Sequence, residues 1–175
     1  MSLSVTEDAT LKQRFLRAGV SLCLAINLAA CSSVATQQNN AQSEVMMRAS
    51  QLMTRYSAND FAGVLELIDK QQFTMWGSDI KEVVHSSNEL QELMRADFAL
   101  WGTAKIDNLR DVDFRTDGRL ATAFFSVSFQ AGRMPPVPVR VATTWIKRNG
   151  EWFLTQSANS VPTRGQSAAE ILHAR

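Results

Sequence analysis

Cysteine and histidine are scarce in this chain of 175 residues: two of each, Cys23, Cys31, His85 and His173. Two thiols, both within the first 31 residues, exclude a Cys-based zinc site and a disulfide framework. Two isolated imidazoles do not build a His-rich catalytic metal centre, so no metal and no cofactor is expected. An excess of one charge is missing as well. The 18 Lys and Arg stand against 17 Asp and Glu, a net charge of +1, which supplies no electrostatic reason for a nucleic-acid partner. No apolar run is long enough to be a comfortable permanent bilayer span. With 45% hydrophobic residues the chain is nevertheless rich enough in apolar surface to fold, and its length indicates one domain.

The longest apolar run is Ala18–Ala30 (AGVSLCLAINLAA), behind the basic residues Lys12, Arg14 and Arg17. Length and flank fit a secretory leader, and the run lacks the polar stripe that a buried helix would show. It ends in Leu28-Ala29-Ala30-Cys31, which resembles the lipobox of bacterial lipoproteins. In that pattern small residues precede the cleavage point and the Cys31 sulfur carries the lipid. The resemblance implies removal of residues 1–30, lipidation (palmitate among the acyl groups) at Cys31, and attachment to a membrane of the bacterial cell envelope. Ser32 after the anchor favours the outer membrane, facing the periplasm. Residues 31–175 carry 15 basic and 15 acidic side chains. Their N-terminal stretch, 31–43, is polar (SSVATQQNNAQS after the cysteine) and reads as a flexible tether.

From residue 44 the pattern becomes that of a folded domain reaching 162. Val45, Ala49, Leu52, Met53 and Tyr56 recur at helical spacing, beginning a first amphipathic helix near Ser43. Asn59 or Asp60 can cap a second, short helix faced by Phe61, Val64, Leu65 and Ile68. Gln72–Trp76 and Ile80–His85 read as short strands around Gly77-Ser78-Asp79. Ser86 with Glu89 fits a capping box for a helix running to Trp101, where Gly102 stops it. Four long strands follow: Thr103–Arg115, Arg119–Ala131, Val137–Arg148 and Glu151–Val161. Asp117-Gly118 and Asn149-Gly150 are type I′ hairpin signals. Residues 163–175 read as a tail, with Ala168–His173 a short helix or a frayed end.

Register assigns the faces. With Phe114 opposite Ala121 and Val112 opposite Ala123, the inward side continues through Phe125, Val127 and Phe129. Asp111, Asp113, Thr122, Phe124, Ser126 and Ser128 face the other way. In the second hairpin Ile146 opposes Phe153 and Thr144 opposes Thr155, which places Val141, Thr143, Trp145, Trp152, Leu154, Gln156 and Ala158 inward.

The element order and the closing segment Lys147-Arg148-Asn149-Gly150-Glu151-Trp152 resemble the NTF2-like (SnoaL-like) family over about residues 45–162. Asn59-Asp60-Phe61, Phe73–Asp79 with Glu82-Val83, and Ser87–Leu93 agree with it. The resemblance implies an α+β cone: a curved antiparallel sheet wrapped around about three helices, a cavity open at one end, and often a homodimer through the outer sheet face. It does not imply one chemistry, since members isomerise, dehydrate, cyclise, hydrolyse or only bind. The last strand of this branch commonly carries a histidine; here the run is Thr155-Gln156-Ser157-Ala158-Asn159-Ser160, without one.

Asp97 lies on the apolar stripe of the third helix, where a carboxylate is costly unless paired. Two readings stand: an interior acid/base in the cone, or a stripe-edge residue bonded to Thr143, Gln156 or an arginine. Tyr56, Trp76, Trp101, Thr143, Trp145, Leu154 and Gln156 are the candidate pocket residues, with core filling the competing role for the tryptophans and interhelical packing for Tyr56. His85 reads as solvated, and Asp111, Asp113 and Asp117 lack the loop of a calcium site. The leading expectation is a non-catalytic module that binds a small apolar ligand or a partner protein. The alternative is a ketosteroid-isomerase-like enzyme using Asp97.

Overall fold

The computed structural model describes residues 36–162 and Glu170. The leader, Cys31, His173 and the terminal-helix expectation, Glu170 apart, lie outside these residues. The chain divides into two compact units, Met1–Asn40 and Ala41–Arg175. Of the first, residues 36–40 are described and are helical.

Helix α1 (residues 36–57) begins earlier than the expected start near Ser43, so residues 36–43 are helix rather than tether. The reason is local. The stretch has no Gly or Pro, and Ala41 extends the buried i, i+4 row of Val45 and Ala49 by one step. Helix α2 (Phe61–Glu66) is capped by Asp60, whose Oδ1 accepts from the Gly63 N–H at 2.9 Å. Helix α3 (Ser87–Trp101) starts at Ser86, whose Oγ accepts from the Glu89 N–H at 3.2 Å. The Glu89 carboxylate reaches back to the N–H of His85, at 2.7 Å. Gly102, at φ +75°, ends the helix in a backbone conformation that disfavours side chains.

The strands are β1 (Thr74–Trp76), β2 (Val83–Val84), β3 (Ala104–Thr116), β4 (Leu120–Ala131), β5 (Val137–Arg148) and β6 (Glu151–Ser160). They form one curved sheet in the order β2-β1-β6-β5-β4-β3. The sheet is not wholly antiparallel as expected: β1 runs parallel to β6, with Met75 beside Ser157. The segment before β1 is held to β6 as well. The Asp69 N–H donates to the Leu154 carbonyl at 2.8 Å, and the Leu154 N–H to the Leu67 carbonyl at 2.9 Å.

The Asn149-Gly150 hairpin is type I′ in character, with φ +52° and +86°. The Asp117-Gly118 turn is not: Asp117 keeps negative φ, and its Oδ1 accepts from the N–H groups of Arg119 and Leu120 at 2.8 and 2.7 Å. The side chain thereby builds a wider loop closed by Thr116 opposite Ala121. Phe114 accordingly pairs with Ala123, two residues from the expected partner, a shift that keeps the same face inward.

Two further irregularities change faces. In β3, Asn108 and Asp111 adopt φ +54° and +57°, with register shifts on either side of Arg110, and Val112 turns outward instead of following Phe114. In β6 the register shifts so that Trp145 faces Leu154 but Thr144 faces Gln156. Thr155 is the extra residue of this bulge, and everything after it is inverted.

The concave side holds the core: Val45 and Ala49 of α1, Val64, Ile68, Leu90 and Met94, against Phe114, Ala121, Ala123, Phe125, Val127, Trp145, Trp152 and Leu154. Two polar ties fasten its rim. Glu44 accepts from Lys147 Nζ and from the indole N–H of buried Trp152, both at 2.8 Å; these donors hold its carboxyl below the usual carboxylate range. Asp69, buried, accepts on one oxygen from Arg148 Nε at 3.1 Å and Nη2 at 2.7 Å.

Candidate functional site

Between the sheet and the helices lies a cavity of about 340 Å³. This falls at the lower end of small-molecule sites. Its walls come from Leu52 and Met53 of α1, from Leu90, Leu93 and Met94 of α3, and from inward residues of the sheet such as Phe125, Val127, Val139 and Val141. Trp145 and Leu154 are buried beneath it. Thr143 also borders the cavity, but its hydroxyl is committed. It donates to the Ala123 carbonyl and accepts from the Trp145 indole N–H, both at 2.9 Å.

The ionisable groups that line the cavity, Tyr56 and Glu82, act on Asp97. Helical spacing places Asp97 on the same face as Leu90, Leu93 and Met94, so the carboxylate borders the cavity. Tyr56, from the last turn of α1, donates its hydroxyl to Asp97 Oδ2 at 3.3 Å and sets its ring edge-on against Phe98, centroids 5.4 Å apart. Both expectations for Tyr56, cavity group and interhelical packing, therefore describe the same side chain. Asp97 does not bond Thr143, Gln156 or an arginine; its partner is Tyr56.

A second carboxylate, Glu82, enters from the turn between β1 and β2. Its Oε2 accepts from the Asp79 N–H at 3.1 Å, and its carbonyl accepts from the Gly77 N–H at 2.7 Å. Gly77 leaves the space that the Glu82 side chain occupies, since a Cβ there would collide with it. Burial raises the Asp97 pKa to about 6, the nearby Glu82 charge adds to the rise, and the Tyr56 hydroxyl opposes it. Burial and the Asp97 charge push the Tyr56 phenol up as well. The linkage sign follows: folding favours protonated Asp97, so this group's contribution to stability is full below its unfolded pKa and is lost as pH rises toward 6.

Of the expected pocket residues, Tyr56, Trp101, Thr143, Trp145 and Leu154 line the cavity with Asp97. Trp76 does not. It is 61% exposed, because Met75 takes the inward place on β1 and strand alternation turns Trp76 out. Gln156 does not either, because the Thr155 bulge turns it to the outer face and brings Ser157 and Asn159 to the cavity. Glu82 is a second acid whose charge is felt at Asp97, and the sequence did not place it there. Glu82-Val83 is visible in the sequence, but reading Ile80–His85 as a strand hid the turn that presents it. Among the described residues no group of three potential metal ligands occurs. His85 is exposed.

No protein-family model and no curated protein matches the sequence. Solved structures do. An NTF2-like protein of unknown function from Pseudomonas putida aligns at TM-score 0.63 and 14% identity, over 73% of this chain and 91% of its own. An NTF2-like protein with a cystatin-like fold from Novosphingobium aromaticivorans aligns at 0.62 and 15%, over 86% and 96%. A protein of the NTF2-like family from Streptomyces avermitilis, provisionally named a dehydratase, aligns at 0.63 and 12%, over 71% and 99%. With its curved six-stranded sheet closed over the helices, the chain has the α+β, NTF2-like and cystatin-like fold of these proteins.

Proposed function

We propose that this domain is a non-catalytic module that binds a small, largely apolar molecule in its cavity. The observation that carries this reading is the cavity itself, about 340 Å³, with aliphatic and aromatic walls and a few polar groups near Asp97. N-Phenyl-1-naphthylamine, a neutral apolar fluorophore, is expected to brighten on binding to the purified protein. Val141→Trp, which fills the cavity from β5, is expected to abolish that signal without unfolding the chain. An unchanged signal in the filled variant would rule the cavity out as the binding site.

The Tyr56–Asp97 pair supports a second reading, a ketosteroid-isomerase-like enzyme. A carboxyl titrating near pH 6 beside a phenol is suited to take up and return a proton. In that case Asp97→Asn abolishes turnover while binding persists.

We infer further that the domain works at a membrane of the bacterial envelope, held by lipid on Cys31, with the outer membrane and the periplasmic side favoured. The basic and apolar residues 12–30 and the Leu28–Cys31 pattern support this. Native protein is expected in the membrane fraction with an acylated N-terminal cysteine, and Cys31→Ser to be unacylated and released. Exposed Leu120 and Phe124 on the outer sheet face support a homodimer through that face.

A further inference from the structure

The described residues that line the cavity include two carboxylates, Asp97 and Glu82, and no lysine, arginine or histidine. Elsewhere on the domain several acids are matched, among them Asp69 with Arg148, Glu66 with Arg55, Glu151 with Arg48 and Asp107 with Lys105. Asp97 and Glu82 have no basic partner among the described residues; their bonds come from the Tyr56 hydroxyl and the Asp79 N–H. One neutral donor each leaves most of the acceptor capacity of a carboxylate unused.

An apolar body entering the cavity displaces the water that solvates these two groups. A neutral head group then leaves two like charges in a poorer solvent, and a carboxylate adds a third. A protonated nitrogen replaces the lost hydration with charge-assisted hydrogen bonds and relieves the repulsion between the acids.

We propose that the cavity selects a protonated amine carried on an apolar body. This rests on the ligand-binding reading above and names its ligand class. Three groups along the wall set the preference. Asp97 comes from α3, Glu82 is held by the turn over Gly77, and Tyr56 on α1 orients Asp97. The other polar lining residues, Ser78, Thr143, Ser157 and Asn159, are uncharged. A bound ammonium favours ionised Asp97, so the preference weakens as pH falls through about 6.

The test uses three probes of one chain length, decylamine, decanol and decanoate, titrated calorimetrically into the full-length protein at neutral pH, the ions below their micelle concentrations and decanol below its solubility limit. Decylamine is expected to bind roughly ten-fold or more tightly than decanol, and decanoate most weakly. Asp97→Asn and Glu82→Gln should each narrow the gap between decylamine and decanol, by weakening decylamine and leaving decanol as tight or tighter, because one buried charge is gone. Decanol binding that does not weaken shows the cavity to be intact, and a gap as wide as in the unaltered protein overturns the role of these acids. Decanol binding as well as decylamine, or decanoate binding best, overturns the choice of head group and leaves the apolar site standing. Binding of none of the three overturns the apolar site and this inference together.

Discussion

Replacing Arg148 with alanine is expected to cost about 3 kcal/mol of folding stability, near the lower end of what breaking a buried ion pair costs. The Asp69 side chain is 3% exposed, whereas that of Arg148 is 34% exposed, so the penalty falls almost wholly on the carboxylate left behind. Asp69 retains the Gln71 N–H at 3.1 Å, which cannot replace a guanidinium donating twice to the same oxygen. Arg148→Ala combined with Asp69→Asn should recover part of the loss, because no charge is then buried without a partner. The measurement is the urea midpoint at unchanged slope. A loss under about 1 kcal/mol would mean that water reaches Asp69 and that the tie between β5 and the segment before β1 adds little.

The second large effect is at Trp145. Its side chain is fully buried, borders the cavity and donates to Thr143. Trp145→Ala is expected to cost about 3–5 kcal/mol, through lost packing and an enlarged void. Trp145→Phe separates the terms. It keeps most of the apolar contact, loses the N–H donation, and should cost about 1–2 kcal/mol. If the alanine variant costs no more than the phenylalanine one, the indole is not the floor of the cavity.

Much of the frame was legible in the residues. The four long strands end within a residue or so of their expected limits, because Asn149-Gly150, Gly102 and the proline-rich stretch after Gly132 punctuate the chain locally. The Ser86 cap and the inward set Ala121, Ala123, Phe125, Val127 and Trp145 were equally readable, since a period of two or 3.6 needs no knowledge of the partner. What escaped depends on three dimensions. Asp69 sits in Ile68-Asp69-Lys70, which looks like an ordinary surface segment, and its partner is 79 residues away. Trp76 was placed by its hydrophobicity, but the parallel seat of β1 on β6 settles its side. Glu82 depended on whether six residues made a strand or a turn. Gln156 was lost to a bulge with no glycine or proline to announce it.

That bulge has a consequence for how such a pocket changes over generations. Beyond Thr155 the identity of the wall is a matter of odd and even. Removing Ser157, just past the bulge, would bring Ala158 and Ser160 to the wall in place of Ser157 and Asn159 in a single event, with no point substitution at all. A lineage could thus re-tune which molecules it accepts by adding or dropping a codon in its last strand, while the scaffold beneath stays as it is.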